Sequence, residues 1–238
     1  MITLPIGFIL AFAAMAYSLA GVDLKNFINL HSFVIVVGGT VAVLFINATK
    51  INIIHLFRGL MLVFKRDIYD NIIMHSLFEL SKGNKGDNIR GKHELIDFYL
   101  DLIEQGLEKD MMKLLMAQRL EELDKVSEAP VVLLKNLAKY PPAMGMMGTC
   151  MGMVELFANL NAENKDSVGA NLALAMTATF YGLLLSNIFL SPLADRLHHR
   201  HMMMSKRHEN VFNILVLIIN NEPASVIENC SLEKRKAS

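Results

Sequence analysis

Charge is missing from four long stretches of this chain, and that absence constrains the fold more than any motif. Residues 4–21 and 32–49 contain no Asp, Glu, Lys or Arg, residues 167–194 contain none over 28 positions, and residues 140–160 contain one, Glu155. A helix that crosses a bilayer needs about 20 mostly apolar residues. Four membrane helices are therefore expected. Composition agrees, since charged residues make up 19% of the chain, against about 25% in ordinary soluble domains. The first stretch has no basic region before it, because no Lys or Arg precedes Lys25. It reads as a retained helix and not as a cleaved signal.

The linkers are unequal. Helices one and two are joined by about ten residues, and helices three and four by "NAENKDS". Between helices two and three lies a polar segment of residues 50–139, and a tail follows helix four. The expected organisation is thus helices one and two in 1–49, a helical domain in 50–139, helices three and four in 140–195, and a tail in 196–238. The middle segment holds 14 Lys and Arg and the tail from Arg196 holds 7, while the short loops hold one each, Lys25 and Lys165. The positive-inside rule places the middle segment, the tail and both termini in the cytoplasm.

The middle segment carries helical periodicity. "ELIDFYLDLIEQGL" places Leu95, Ile96, Tyr99, Leu102 and Ile103 on one face, and residues 111–123 do the same with Met111, Leu114, Leu115 and Leu123. "SKGNKGDNIRGKHE" (residues 81–94) has three glycines and reads as a charged loop or broken helix. A helical pattern resumes at residues 211–219 and breaks near Pro223. The fold class is an all-α membrane protein with a large helical insert and a C-terminal cytoplasmic helix.

Enzyme signatures are absent: there is no P-loop, no nucleophile elbow and no GxGxxG. The formal net charge of zero gives no electrostatic basis for binding nucleic acid. No cofactor and no metal site are expected. In "HHRHMMMSKRH", His198 and His201 could share a helix face. No acidic or thiol partner recurs at ligand spacing, and a basic anchor at the lipid headgroups accounts for the run. Cys150 and Cys230 read as free thiols.

Helix three, "YPPAMGMMGTCMGMVELF" (residues 140–157), contains two prolines, three glycines and a threonine. Gly148 and Gly152 form a GxxxG pair with Gly145 one turn earlier, a pattern that lets helix backbones approach closely in lipid. Helix four adds Thr177, Thr179, Tyr181, Gly182, Ser186 and Asn187. Polar, uncharged side chains on two adjacent membrane helices suggest a lined, partly wet path. A mid-membrane acid is missing, so an ion relay needs a carboxylate from another chain. Pro142 and Pro192 either bend their helices by freeing a carbonyl or, for Pro141 and Pro142, simply begin helix three.

These motifs resemble the MotA/PomA flagellar stator subunits, within the wider group that includes TolQ and ExbB. The resemblance is carried by "SFVIVVGGTVAVLFIN" (32–47), "PAMGMMGTCMGMVELFANL" (142–160) and "VGANLALAMTATFYGLLLSNIFLSPLADRL" (168–197). It implies a homopentamer around two single-span MotB/PomB-like chains, each supplying the membrane aspartate missing here. It further implies transport of H+ or Na+ across the bacterial inner membrane, and a push on the rotor protein FliG. By residue match, Pro142 and Pro192 fall on prolines that couple ion flow to rotation, and Thr149 and Thr179 on ion-path threonines. Ala178 stands where sodium-type members often carry threonine, and Thr177 is expected to replace part of the lost oxygen. Candidate rotor-facing charges are Arg90 and Glu94, read as an i, i+4 pair, with Lys82, Lys85 and Lys92 nearby. An ion-driven transducer of the TolQ/ExbB type is the alternative; the two closely spaced first helices argue against its usual three-helix layout.

Overall fold

The computed structural model describes residues 3–18, 27–64, 70–81, 89–158 and 165–222, and every regular element among them is helical. The helices are α1 (Thr3–Ser18), α2 (Leu30–Phe33), α3 (Gly39–Asn47), α4 (Lys50–Phe64), α5 (Asp70–Ser81), α6 (Glu94–Glu104), α7 (Lys109–Leu137), α8 (Tyr140–Ala158), α9 (Lys165–Leu184) and α10 (Ser191–Ile219). A π segment, Val34–Gly38, joins α2 to α3, and another, Leu185–Leu190, joins α9 to α10. Local chemistry sets several ends. The Asn29 side chain caps α2 by accepting from the N–H groups of His31 and Ser32 at 3.0 and 3.3 Å. At the far end of α10, Asn221 takes φ 61°. The Glu222 N–H then bonds Leu217 O and the Asn221 N–H bonds Ile218 O, the paired closure expected of a left-handed cap.

Two helical stretches among the described residues are long and apolar enough to cross a membrane, Leu30–Asn47 and Val168–Ile219. The apolar helix Ile6–Tyr17, within α1, is shorter. Helix α8 has the length but not the composition, because Pro141, Pro142, Gly145, Gly148, Thr149, Gly152 and Glu155 dilute it.

The chain divides into two compact units. One is Met1–Gly59 with Ala129–Leu197, and the other is Leu60–Glu128 with His198–Ser238. In the first, α8 packs chiefly against α9, and also against α3 and both π segments. Phe8 and Phe12 of α1 bring their rings to 5.8 and 6.0 Å from that of Phe189.

The second unit has a core of Ile73, Leu77, Leu95, Ile96, Tyr99, Leu102, Met112, Met116, Val211, Ile214 and Leu215. Two expectations change here, and the extent of α7 was not anticipated. Helix α7 buries Met112 and Met116, with Leu115 and Leu123 packed beside them as expected, while Met111 and Leu114 are exposed; the core face overlaps the one read off the sequence but is shifted from it. Helix α7 also runs on through Pro130 to Leu137. And the C-terminal helix does not resume at residue 211, because α10 is continuous from Ser191 to Ile219.

Candidate functional site

The site is built on the α8–α9 contact, where small residues let two backbones meet. A Cβ added at Gly145 would lie 2.8 Å from Ala178 O, at Gly148 2.5 Å from Ala178 Cβ, and at Gly152 2.9 Å from Asn171 O. At Gly182 it would lie 2.5 Å from Pro141 O. Real Cβ atoms do not approach so closely, so the four glycines are what permits this spacing.

The close approach brings two hydroxyls together. Thr149 Oγ1 of α8 and Thr179 Oγ1 of α9 hydrogen-bond to each other. Thr149 Oγ1 also lies 3.1 Å from Gly145 O and 3.1 Å from Ala175 O. Thr179 Oγ1 lies 3.5 Å from Gly145 O. Two hydroxyls supply two protons to share among two carbonyls and one another. The notch therefore has more lone pairs than donors, which suits a partly dehydrated cation. Its hydrogen bonds involve no carboxylate among the described residues. Glu155 is exposed at the other end of α8.

Thr177 does not join this notch. Two residues along a helix is more than half a turn, and its hydroxyl meets Ser32 Oγ at 2.7 Å instead. Ser32, fully buried, also donates to Leu174 O at 3.0 Å. The oxygen expected to stand in for a threonine at 178 thus faces α2, on the other side of α9. Ala178 is itself fully buried against Gly148.

The prolines differ. Pro141 and Pro142 sit in the first turn of α8, where a missing N–H is well tolerated. Pro192 is exposed in the first turn of α10, directly after the π segment Leu185–Leu190. Sequence reasoning gave no role to Ser32 or to the specific bonds of Tyr181 and Ser186. Tyr181 OH donates to Phe27 O and accepts from the Asn29 N–H at 3.3 Å. Ser186 Oγ donates to Ala138 O at 2.6 Å. The only signal for any of these was a hydroxyl at helical spacing.

In the second unit the expected Arg90–Glu94 pair is overturned. Arg90 lies in a turn before α6 begins, so the two do not share a helix face. Arg90 pairs with Glu104 and, at 3.5 Å, with Asp101, while Glu94 pairs with Arg119 at 3.6 Å. Lys92 precedes α6, and Lys82 and Lys85 lie outside the described residues. The histidines also differ from the reading as a headgroup anchor. His201 is 8% exposed, with Nδ1 3.0 Å from Ser127 Oγ and its ring 6.4 Å from that of His198. Among the described residues no group of three or more His, Cys, Asp or Glu could hold a metal ion. His93 caps α6 by accepting from the Leu95 N–H at 3.2 Å, and its ring meets that of His208 edge-on at 5.1 Å. Burial first, then the nearby His208 and Arg207, lowers the His93 pKa to about 4. Burial likewise lowers that of His208.

Among the described residues the regular elements are all helical, two helical stretches have the length and composition of membrane spans, and one of them packs closely on α8 at a hydroxyl notch, the features of a helical membrane protein. Residues 87–210 match the model of the MotA/TolQ/ExbB proton channel family. The chain is 30% identical over 216 residues to Motility protein A of Treponema pallidum, covering 87% of this chain and 83% of that one. It is 25% identical to Chemotaxis protein PomA of Vibrio alginolyticus, covering 92% and 88%. Its fold matches a chain of the flagellar MotAB stator complex from Bacillus subtilis with TM-score 0.77 at 19% identity, covering 94% and 92%. It also matches C. jejuni MotAB with TM-score 0.78 at 18% identity, covering 95% and 92%. The chain belongs to the MotA/TolQ/ExbB proton channel family, in its MotA/PomA stator branch.

Proposed function

We propose that this chain conducts H+ or Na+ across the inner membrane together with a single-span MotB/PomB-like partner, and turns that flow into flagellar rotation through FliG. In this reading four helices, α1, α2–α3, α8 and α9, cross the bilayer, with the residue 50–139 segment and both termini in the cytoplasm. Five copies surround two partner chains. The observation that carries it is the Thr149–Thr179 notch: a cation-suited cluster of hydroxyl and carbonyl oxygens whose hydrogen bonds involve no acid among the described residues. A partner carboxylate supplies the titrating or counter-charged group, and the threonine oxygens replace part of the ion's hydration shell. Catalysis of a covalent step has no place in this scheme, so no enzyme activity is assigned.

The test is swimming of a deletion strain complemented with wild type or with Thr179→Val. Wild type restores swimming, and Thr179→Val does not while still reaching the membrane. A deletion strain that swims normally, with no second stator to explain it, would sink the proposal. Loss of outer-envelope integrity with motility intact would favour the TolQ/ExbB-type alternative.

A further inference from the structure

Ala138 lies between α7 and α8 and is 7% exposed. Were the helix to continue past it, its carbonyl would accept the N–H of residue 142, or of residue 141 in a tighter turn. Both positions are proline, so neither N–H exists. A buried carbonyl deprived of both donors is costly unless another group serves it. The Ser186 hydroxyl, 5% exposed, serves it at 2.6 Å. One turn before Ser186 on the same face, Gly182 receives the proline pair: a Cβ there would lie 2.5 Å from Pro141 O and 3.2 Å from Pro142 Cα. Ser186 belongs to the π segment Leu185–Leu190 that leads to Pro192. Such segments are widened turns with altered backbone pairing and recur at functional sites.

We propose that Ser186 is a positioning residue for the coupling of ion flow to rotation. Its hydroxyl replaces the main-chain donor that Pro141 and Pro142 remove, and so seats the start of α8 on the π segment before Pro192. The coupling role rests on the stator function proposed above; the clamp itself does not.

A double-mutant cycle separates this from ordinary packing. The full chain is purified in detergent as wild type, Ser186→Ala, Pro142→Ala and the double variant, and thermal unfolding is followed. Ser186→Ala lowers the midpoint by roughly 4 °C in the wild-type background. With alanine at 142, whose restored N–H serves Ala138 O, the same change has little effect. Equal shifts in both backgrounds overturn the clamp. Should Pro142→Ala not accumulate, Ser186→Cys decides, because a thiol keeps the shape but donates weakly. Its midpoint falls between those of wild type and Ser186→Ala, and wild-type midpoints for both variants overturn the clamp.

The coupling role is read in cells at matched protein level. Ser186→Ala swims slower by about twofold or more, with Ser186→Cys between it and wild type. Full speed from Ser186→Ala overturns that role. If wild type itself fails to restore swimming, the stator function has failed, and the thermal cycle still decides the clamp.

Discussion

The Thr149 hydroxyl of α8 and the Thr179 hydroxyl of α9 hydrogen-bond across the helix pair, with Gly145 O within 3.1 Å of the first and 3.5 Å of the second. Oxygens from two helices are brought to one point only because Gly145 and Gly148 let α9 approach. A direct consequence is that packing and the proposed ion path share this contact but separate under mutation.

Thr149→Val and Thr179→Val keep shape and remove one hydroxyl each. Side-chain hydrogen bonds between membrane helices are worth about 0.6 kcal/mol on average, so the assembled protein persists. If each hydroxyl also binds a passing cation, its loss costs the ion path roughly 10–100-fold in conductance. Cation flux into vesicles holding the complex, compared with the amount of complex incorporated, checks this. Wild-type flux from both variants would remove the notch from the path.

Gly182→Ala and Gly148→Ala act on the packing itself. Each forces an atom to within 2.5 Å of Pro141 O or Ala178 Cβ, and overpacking of this kind costs about 1–3 kcal/mol. Gly169→Ala is the control, since a Cβ there meets nothing within 4 Å. Thermal unfolding of the purified variants is expected to rank Gly169→Ala with wild type and the other two well below it.

The second unit is expected to be acid-sensitive through His93. Its folded pKa is about 4, whereas an unfolded histidine titrates near 6.5. Below 6.5 the unfolded chain takes up a proton that the folded chain refuses, so folding loses free energy as pH falls from about 6.5 towards 4. Above 6.5 both states are neutral and the effect vanishes. Protonating Nδ1 would also cost the cap on Leu95 N–H. His93→Asn keeps a capping oxygen and removes the titration. Protection factors of residues 94–104, which divide out the intrinsic slowing of amide exchange in acid, are expected to fall on acidification in wild type and to change less in His93→Asn, with His208 contributing the remainder in the same direction.

Arg90→Ala breaks exposed pairs with Asp101 and Glu104. Such pairs contribute about 0–1 kcal/mol, so the fold is retained. A motility loss from Arg90→Glu at unchanged protein level would then mark a rotor contact, and normal swimming would remove Arg90 from the candidates.

Much of the fold was legible because a membrane imposes a one-dimensional rule: remove charge for long enough and a helix is required. The runs at 32–49 and 167–194 correspond to helical stretches with the length and composition of spans. The core of α6 was equally legible, since Leu95, Ile96, Tyr99 and Leu102 repeat at helical spacing and are buried. The same reading placed Leu115 and Leu123 correctly on α7 but missed Met112 and Met116, because "MMKLLM" offers apolar residues on two adjacent faces and only its neighbours decide between Met111 and Met112.

What the sequence determined by itself was the class of helix, its apolar length, the sites of small residues and the family. Each depends on residue type and spacing along the chain. What only the tertiary structure decided was which oxygens meet. Thr177 and Thr179 are near neighbours in sequence, yet one faces Ser32 and the other Thr149. Arg90 and Glu94 are four apart, yet a turn separates them and each has another partner. Ser186 and Ala138 are 48 residues apart, yet the hydroxyl of one donates to the carbonyl of the other. Hydrogen bonds and ion pairs act over a few ångströms, so their partners are set by how helices pack and where they end, which spacing along one strand of sequence does not encode.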